Sequence, residues 1–304
     1  MDERLTKESR NSKLETRNSK LRFVMRTLVT GGSGYLGIHV RRFFGADDFS
    51  RRSNLDILDP GDVDRLLDYD VVIHLAAHLD KDPDAAELCF RTNAEGTANV
   101  ISNMRPGAVF IYASTKDVYG SNASLFTETP ETCEVSYAGQ TALEWSKLIG
   151  ERYVDYYAQQ RDVRACIFRL STVYARPSDG NEPGFVTHYV ESVKHGWPIH
   201  VPVGGHAIRD ILHVDDFSKA CQAFIESPRR AGLYNLGGGK ANSASLREII
   251  ETVGGLIDIE PIINESETLP HPVPVNYISD LTKIRSELGW QPEIGIEEGL
   301  KSLL

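Results

Sequence analysis

From Met25 onward, short apolar runs alternate with longer segments whose apolar positions recur at helical spacing. The runs within "RTLVTGG", "DVVIHLAA", "AVFIYAS" and "RACIFRL" are nearly continuous in hydrophobicity, the pattern of strands covered on both faces in a parallel sheet. Strand and helix patterns in alternation predict an α/β fold with a doubly wound parallel sheet. After Tyr174 the texture changes to Gly- and Pro-rich stretches, "ARPSDGNEPG", "GWPIHVPVGG" and "LPHPVPVNY", which predict a lid or substrate lobe on the sheet. Residues 25–174 are therefore expected to form mainly the sheet domain. Residues 175–304 are expected to form mainly a smaller substrate-binding lobe, with some segments returning to the sheet. The first 24 residues carry a tandem R-N-S-K-L repeat and are expected to be a disordered extension.

Composition narrows the class without choosing a function. The chain has 304 residues, 41% hydrophobic and 25% charged, enough for one large α/β unit with a buried core. A net charge of −10 argues against a nucleic-acid partner, whose backbone needs a basic surface. Cys89, Cys133, Cys166 and Cys221 show no C-x-x-C spacing, so neither a metal nor a disulfide framework is expected, and a reducing cytoplasm fits best. No apolar run approaches the roughly 20 residues of a membrane span.

Chemistry enters with "TLVTGGSGYLG", where Gly31, Gly34 and Gly37 follow an apolar strand and precede the helical run "IHVRRFF". Glycines there permit a tight turn and bring backbone amides against a pyrophosphate at a helix N-terminus, predicting a dinucleotide site. The second strand must be short, and Ser50, Arg51 and Arg52 stand at its end. Paired guanidiniums suit a 2′-phosphate, so the cofactor is expected to be NADP or NAD, with NADP favoured. His74 and His78 straddle a strand end and are expected to be structural or loop residues. His213 is expected near a helix capped by Asp215 or Asp216, and "LGGGK" (Gly237 to Lys240) is expected to be a turn lining the substrate cleft.

The chain resembles the extended short-chain dehydrogenase/reductase family, in its nucleotide-sugar epimerase/dehydratase branch. The likeness rests on "TGGSGYLG", "LDILDP", "VVIHLAAHL", "RTNAEGTANVI", "ASTKDVYG", "SKLIGERYV", "RLSTVYARP", "RDILHVDD", "GLYNLGGGKANS" and "DLTKIRSELGWQPEIGIEEGL", in the family's order. It implies a Rossmann-type sheet, a nucleoside-diphosphate sugar as substrate and a homodimer. Tyr35 and Leu36 join the glycine turn in holding the cofactor, Asp56 and Ile57 match the adenine contact, and Leu75, Ala76 and Ala77 match the strand-end loop beside it. Asn93 matches an asparagine behind the active site and is expected among the cofactor-binding residues. Thr115 matches the Ser/Thr that hydrogen-bonds the reacting sugar oxygen, Lys147 the lysine on the nicotinamide ribose, and Arg209 an arginine on the diphosphate. Thr172 stands where asparagine is usual.

One position departs sharply. Four residues before Lys147 the family carries the tyrosine that exchanges the substrate proton, and this chain has Leu143, which cannot. The spacing from Leu143 to Arg169 matches that of the family, so a shifted register does not explain it. Three replacements stand open: Tyr137 from the loop before the helix, the Lys116–Asp117 pair after Thr115, and Glu144 or a water. The expected function is an NAD(P)-dependent epimerase or dehydratase of a nucleoside-diphosphate sugar, working through a transient keto intermediate with an atypical acid/base. The alternatives are an NADPH-dependent keto-sugar-nucleotide reductase and a catalytically silent nucleotide-sugar or cofactor-binding protein.

Overall fold

A computed structural model describes residues 25–178, 180–266 and 274–304. The R-N-S-K-L extension lies outside the described residues. Six strands, β1 (Thr27–Thr30), β2 (Asp47–Phe49), β3 (Val71–His74), β4 (Val109–Thr115), β5 (Arg164–Leu170) and β9 (Ala231–Leu236), pair in parallel in the order β2-β1-β3-β4-β5-β9. All four residues of β3 and six of the seven in β4 are buried, which explains why these strands read as apolar runs without alternation. This is the Rossmann-type doubly wound sheet that the sequence predicts.

The strand order places the site. The chain leaves β1 for β2 on one side, then returns to β3 on the other, so the crossovers diverge at the carboxyl ends of β1 and β3. That divergence opens a crevice. The remaining strands are β6 (Thr172–Tyr174), β7 (Ile199–Pro202), β8 (Ile208–His213), β10 (Ser243–Ser245) and β11 (Ile263–Ser266). They form a three-stranded sheet, β10-β8-β6, and a β11-β7 pair. Together with the helices Phe185–His195, Leu246–Ile257 and Ile296–Leu303 they enclose a separate core around Tyr174, Val190, Ile211, Ile249 and Leu300. Among the described residues, no helix is long and apolar enough to cross a membrane.

The helix Val214–Glu226 buries Phe217, Cys221 and Phe224, as its amphipathic pattern predicts. Its cap differs from expectation: His213 Nδ1 accepts from the Asp215 amide at 3.2 Å. Asp215 and Asp216 belong to the first turn instead, and Asp216 Oδ2 accepts from the amides of Glu293 and Ile294 at 3.0 and 2.8 Å.

The longest helix, Ala142–Gln160, starts at a capping box in which Thr141 accepts from Leu143 N and Glu144 Oε2 accepts from Thr141 N. Glu151 on its inner face is fully buried and takes Arg169 of β5 through two bonds of 2.9 and 2.7 Å, with Ser114 adding a third at 2.6 Å. Glu151→Ala is expected to destabilise the fold by about 3–5 kcal/mol, because it leaves the Arg169 guanidinium buried without its partner. Urea unfolding measures this. A loss below about 1 kcal/mol would mean that the pair behaves as an exposed one.

Candidate active site

The turn after β1 is shaped by what cannot fit there. Gly31 has φ +67°, and a Cβ on it would stand 2.8 Å from the Ala76 amide nitrogen. A Cβ on Gly37 would stand 2.1 Å from the Gly31 carbonyl oxygen. Both positions therefore exclude a side chain, and the turn folds flat beneath the start of helix Gly37–Phe44. Leu36, the N-cap of that helix, supplies no side-chain cap; the Ile38 and His39 amides donate to the carbonyls of Gly34 and Leu36, which leaves the amides of Tyr35, Leu36 and Gly37 to meet an outside acceptor.

A cavity of about 610 Å³ lies over this turn. Gly31, Gly34, Tyr35, Leu36 and Gly37 form its floor, and Ser50, Arg51, Arg52, Asp56 and Ile57 form the end beyond β2. Leu75, Ala76 and Ala77 line the wall after β3, while Thr115, Leu143 and Lys147 line the opposite end. The residues named from sequence for the cofactor thus converge, with one exception. Asn93 does not line the cavity: its Nδ2 donates to His78 O at 2.8 Å and Ser146 Oγ at 2.9 Å, and its Oδ1 accepts from His78 N at 2.7 Å. It pins the loop after β3 to the long helix. Its neighbour Thr92 reaches the cavity instead, with Oγ1 buried and without a hydrogen-bond partner among the described residues. Both sit on a π-helical turn, Phe90–Glu95, which directs consecutive side chains differently from an α-turn.

The arginines after β2 are partnered, though exposed. Arg51 Nε lies 3.1 Å from Asp56 Oδ2, and Arg52 donates to the carbonyls of Ser33 and Gly180. Tyr35 donates to Ala175 O at 2.9 Å and meets Thr187 Oγ1 at 2.7 Å, so the glycine turn is tied to the second lobe.

A second cavity, about 560 Å³, opens from the first, and Thr115, Leu170, Ser171, Val173 and Gly184 line both. Lys116, Asp117, Thr172, Tyr189, His200 and Arg209 line only the second. Arg209 makes no ion pair with Asp210; its Nη1 donates to the carbonyls of Ile208 and Val275 at 2.7 and 2.6 Å. Burial lowers its pKa, with Asp117 and Asp210 opposing the shift. The remaining guanidinium donors make the cavity wall suited to an anion.

At the junction, Thr115 Oγ1 accepts from the Asp117 amide at 3.1 Å, which leaves its hydroxyl proton to donate. Lys116 is buried, lies 5.2 Å from the centre of the Tyr277 ring and contacts Asp117 Oδ1. Asp117 Oδ2 meets Lys81 Nζ at 3.1 Å. Burial would raise the Asp117 carboxyl, but Lys116 and Lys81 outweigh it and hold the group well below the usual carboxylate range. Lys147 Nζ donates to Ala113 O at 2.8 Å, and burial pushes its pKa down to about 8 against the pull of Cys89 and Glu151.

Leu143 presents an apolar wall beside Lys147. The expectation that Tyr137 reaches inward is not met: it is 64% exposed, its ring packs against Trp145 at 5.4 Å, and it lines neither cavity. Glu144 is also outside both, committed to Thr141 and to Lys81 at 2.8 Å. The "LGGGK" turn does not line the cleft; Gly238, Gly239 and Lys240 border a different hollow, with Arg285 and Glu293. His74 is buried between Thr30 and Thr97, and its pKa falls to about 3 through burial and the nearby Lys147. Lys81 and Thr92 escape the sequence patterns, and only the adjacency of Thr92 to Asn93 hinted at either.

Residues 27–237 match the model of the NAD dependent epimerase/dehydratase family. The chain belongs to that family of enzymes. Among its relatives, CDP-paratose 2-epimerase of Salmonella typhi is 26% identical, covering 92% of this chain and 98% of its own. The dTDP-glucose 4,6-dehydratase of Streptomyces niveus is 26% identical over 91% of this chain and 90% of its own. UDP-glucose 4-epimerase of Thermotoga maritima, solved with UDP-glucose, superposes with a TM-score of 0.78 at 24% identity, covering 92% of this chain and 97% of that one. The likeness to that structure is one of fold. Family membership fits the glycine turn and the uncapped helix, which could cradle the pyrophosphate of a nicotinamide dinucleotide.

Proposed function

We propose that this protein is an NAD(P)-dependent epimerase or dehydratase acting on a nucleoside-diphosphate sugar through a transient keto intermediate. The observation that carries the reading is the junction: Thr115 is among the residues shared by a glycine-floored cavity and a second cavity bearing Lys116, Asp117 and Arg209. A nicotinamide dinucleotide in the first cavity would supply the hydride acceptor and donor. Gly31, Gly34, Tyr35, Leu36 and Gly37 would hold its pyrophosphate, Asp56 and Ile57 its adenine, and Lys147 its nicotinamide ribose. Arg209 and Thr172, in the carboxyl-terminal lobe, would hold the sugar nucleotide.

Thr115 would donate a hydrogen bond to the reacting sugar oxygen and hold it between the cavities. Lys116 in its neutral form would take the proton from that oxygen as the sugar is oxidised, and as the ammonium would return it on re-reduction. Asp117, kept ionised by two ammonium groups, has too low a proton affinity to be an effective base, and serves to hold Lys116. Ser50, Arg51 and Arg52 favour NADP: among the described residues, the only carboxylate lining that end is Asp56, which Arg51 already pairs. The same feature supports a second reading, an NADPH-dependent keto-sugar-nucleotide reductase.

Calorimetry with NADP+ and NAD+, followed by a thermal-shift and turnover panel of UDP-, CDP- and dTDP-sugars, tests both. Tighter binding of NADP+ and interconversion of a sugar nucleotide without net cofactor change are expected. Net oxidation of NADPH would select the reductase, and stabilisation by a sugar nucleotide with no turnover under any cofactor condition would leave a silent binding protein.

A further inference from the structure

We infer that Lys81 is a positioning residue for proton transfer, its single ammonium tying the Asp117 carboxylate at the end of β4 to the Glu144 carboxylate in the first turn of helix Ala142–Gln160. The inference rests on the role given above to Lys116 and Asp117. Three segments distant in sequence contribute. Lys81 comes from the loop after β3, and its Nζ stands 3.1 Å from Asp117 Oδ2 and 2.8 Å from Glu144 Oε1. Each carboxylate divides its two oxygens. Asp117 gives Oδ1 to Lys116 and Oδ2 to Lys81, while Glu144 gives Oε1 to Lys81 and Oε2 to the Thr141 cap.

The result is a chain of alternating charge, Lys116–Asp117–Lys81–Glu144, with no net charge. Balance of this kind is what allows the group to be buried: the side chains of Lys81 and Asp117 are each 17% exposed and that of Glu144 4%. Burial alone would favour a neutral Lys81, but the two carboxylates prevail and raise its pKa. Glu144 is lowered against its burial by Lys81 and Thr141. The chain also couples geometry. It joins the turn carrying Thr115 and Lys116 to the helix carrying Leu143 and Lys147, so the two sides of the junction hold one spacing. A surface ion pair would not do this, because it would be screened and free to rotate.

Removing Lys81 leaves two carboxylates facing each other across an uncharged gap. Among the described residues, the other charged or titratable groups facing Asp117 or sharing the second cavity with it are Lys116 on its own turn, Arg209 from β8, His200 of β7 and Tyr189 of helix Phe185–His195. A carboxyl depressed by two cations rises when one is lost, so the pH at which Asp117 takes a proton must move up. Lys116 then loses its fixed acceptor as the solution is made acid.

The test uses the full chain with 13Cγ-labelled aspartate, the Asp117 resonance being assigned by its loss in Asp117→Asn. In the unaltered protein that carboxyl is expected to be fully ionised still at about pH 4, where an ordinary aspartate is about half protonated. Lys81→Met and Lys81→Gln should bring its titration above that pH, and Lys81→Arg should restore the original behaviour. With any sugar nucleotide that turns over, Lys81→Met should lower kcat about tenfold or more, shift the acid limb of the pH profile upward and leave KM nearly unchanged. A flat Asp117 resonance in Lys81→Met or Lys81→Gln, with an unchanged melting temperature, would overturn the inference. If no sugar nucleotide turns over, the proposed activity fails, while the carboxyl titration still decides what Lys81 does to Asp117.

Discussion

Gly37→Ala should weaken dinucleotide binding by about 100-fold or more, equivalent to roughly 2.7 kcal/mol. The added methyl would lie 2.1 Å from the Gly31 carbonyl oxygen and 2.8 Å from Gly32 Cα, both backbone atoms that cannot rotate aside. The turn must lift away from the helix start, and the amides of Tyr35, Leu36 and residue 37 then no longer converge on one acceptor. Gly34 provides the contrast. A Cβ there approaches only one protein atom, the Gly31 carbonyl oxygen at 3.0 Å, so Gly34→Ala should disturb the turn itself far less than Gly37→Ala and lower affinity by crowding the pyrophosphate instead. Both are measured by calorimetry with NADP+ and NAD+, beside a thermal melt to show that each variant folds. Unchanged affinity in a folded Gly37→Ala protein would remove the glycine turn from the cofactor site.

That contrast shows where sequence spacing stops being informative. Gly31, Gly34 and Gly37 are equivalent letters in the motif "GGSGYLG", and only the backbone path shows that two of them are sterically required. The sheet was legible because burial on both faces leaves a one-dimensional trace in β3, β4 and β5. The cavity floor was legible because it follows directly from strand ends, whose side chains and amides are set by local geometry. Tyr137 was misplaced because a loop residue's direction depends on what packs beside it, here Trp145. Thr92 and not Asn93 reaches the cavity for a related reason: a π-helical turn rotates successive side chains away from their α-helical directions, and nothing in "RTNAEGT" announces the wider turn. The "LGGGK" turn was assigned to the wrong hollow because a glycine run fixes flexibility and not destination. Lys81 was invisible, since its two partners lie on other segments and a lone lysine in "HLDKDP" reads as solvated.

Leu143 poses the remaining question, and Lys116→Met should answer it with a fall in turnover of about 10²–10⁴-fold, the range for losing a positioned acid/base. The side chain keeps its length and its place against the Tyr277 ring, so the change removes the proton carrier with little lost packing. Asp117→Asn should cost less, because an amide can still accept from Lys116 while giving up the charge that fixes it. Leu143→Tyr provides the opposing test: it places a phenol one helical turn before Lys147, in the cavity wall that both residues already line. If Lys116 carries the proton, the added phenol brings little to the unaltered protein but restores part of the activity of Lys116→Met, because the Lys147 ammonium, with a pKa of about 8 and so still largely protonated at neutral pH, can lower the phenol's. Full turnover in Lys116→Met would remove Lys116 from the reaction, and a large gain from Leu143→Tyr alone would show that the apolar residue at this position leaves the reaction without an effective acid/base.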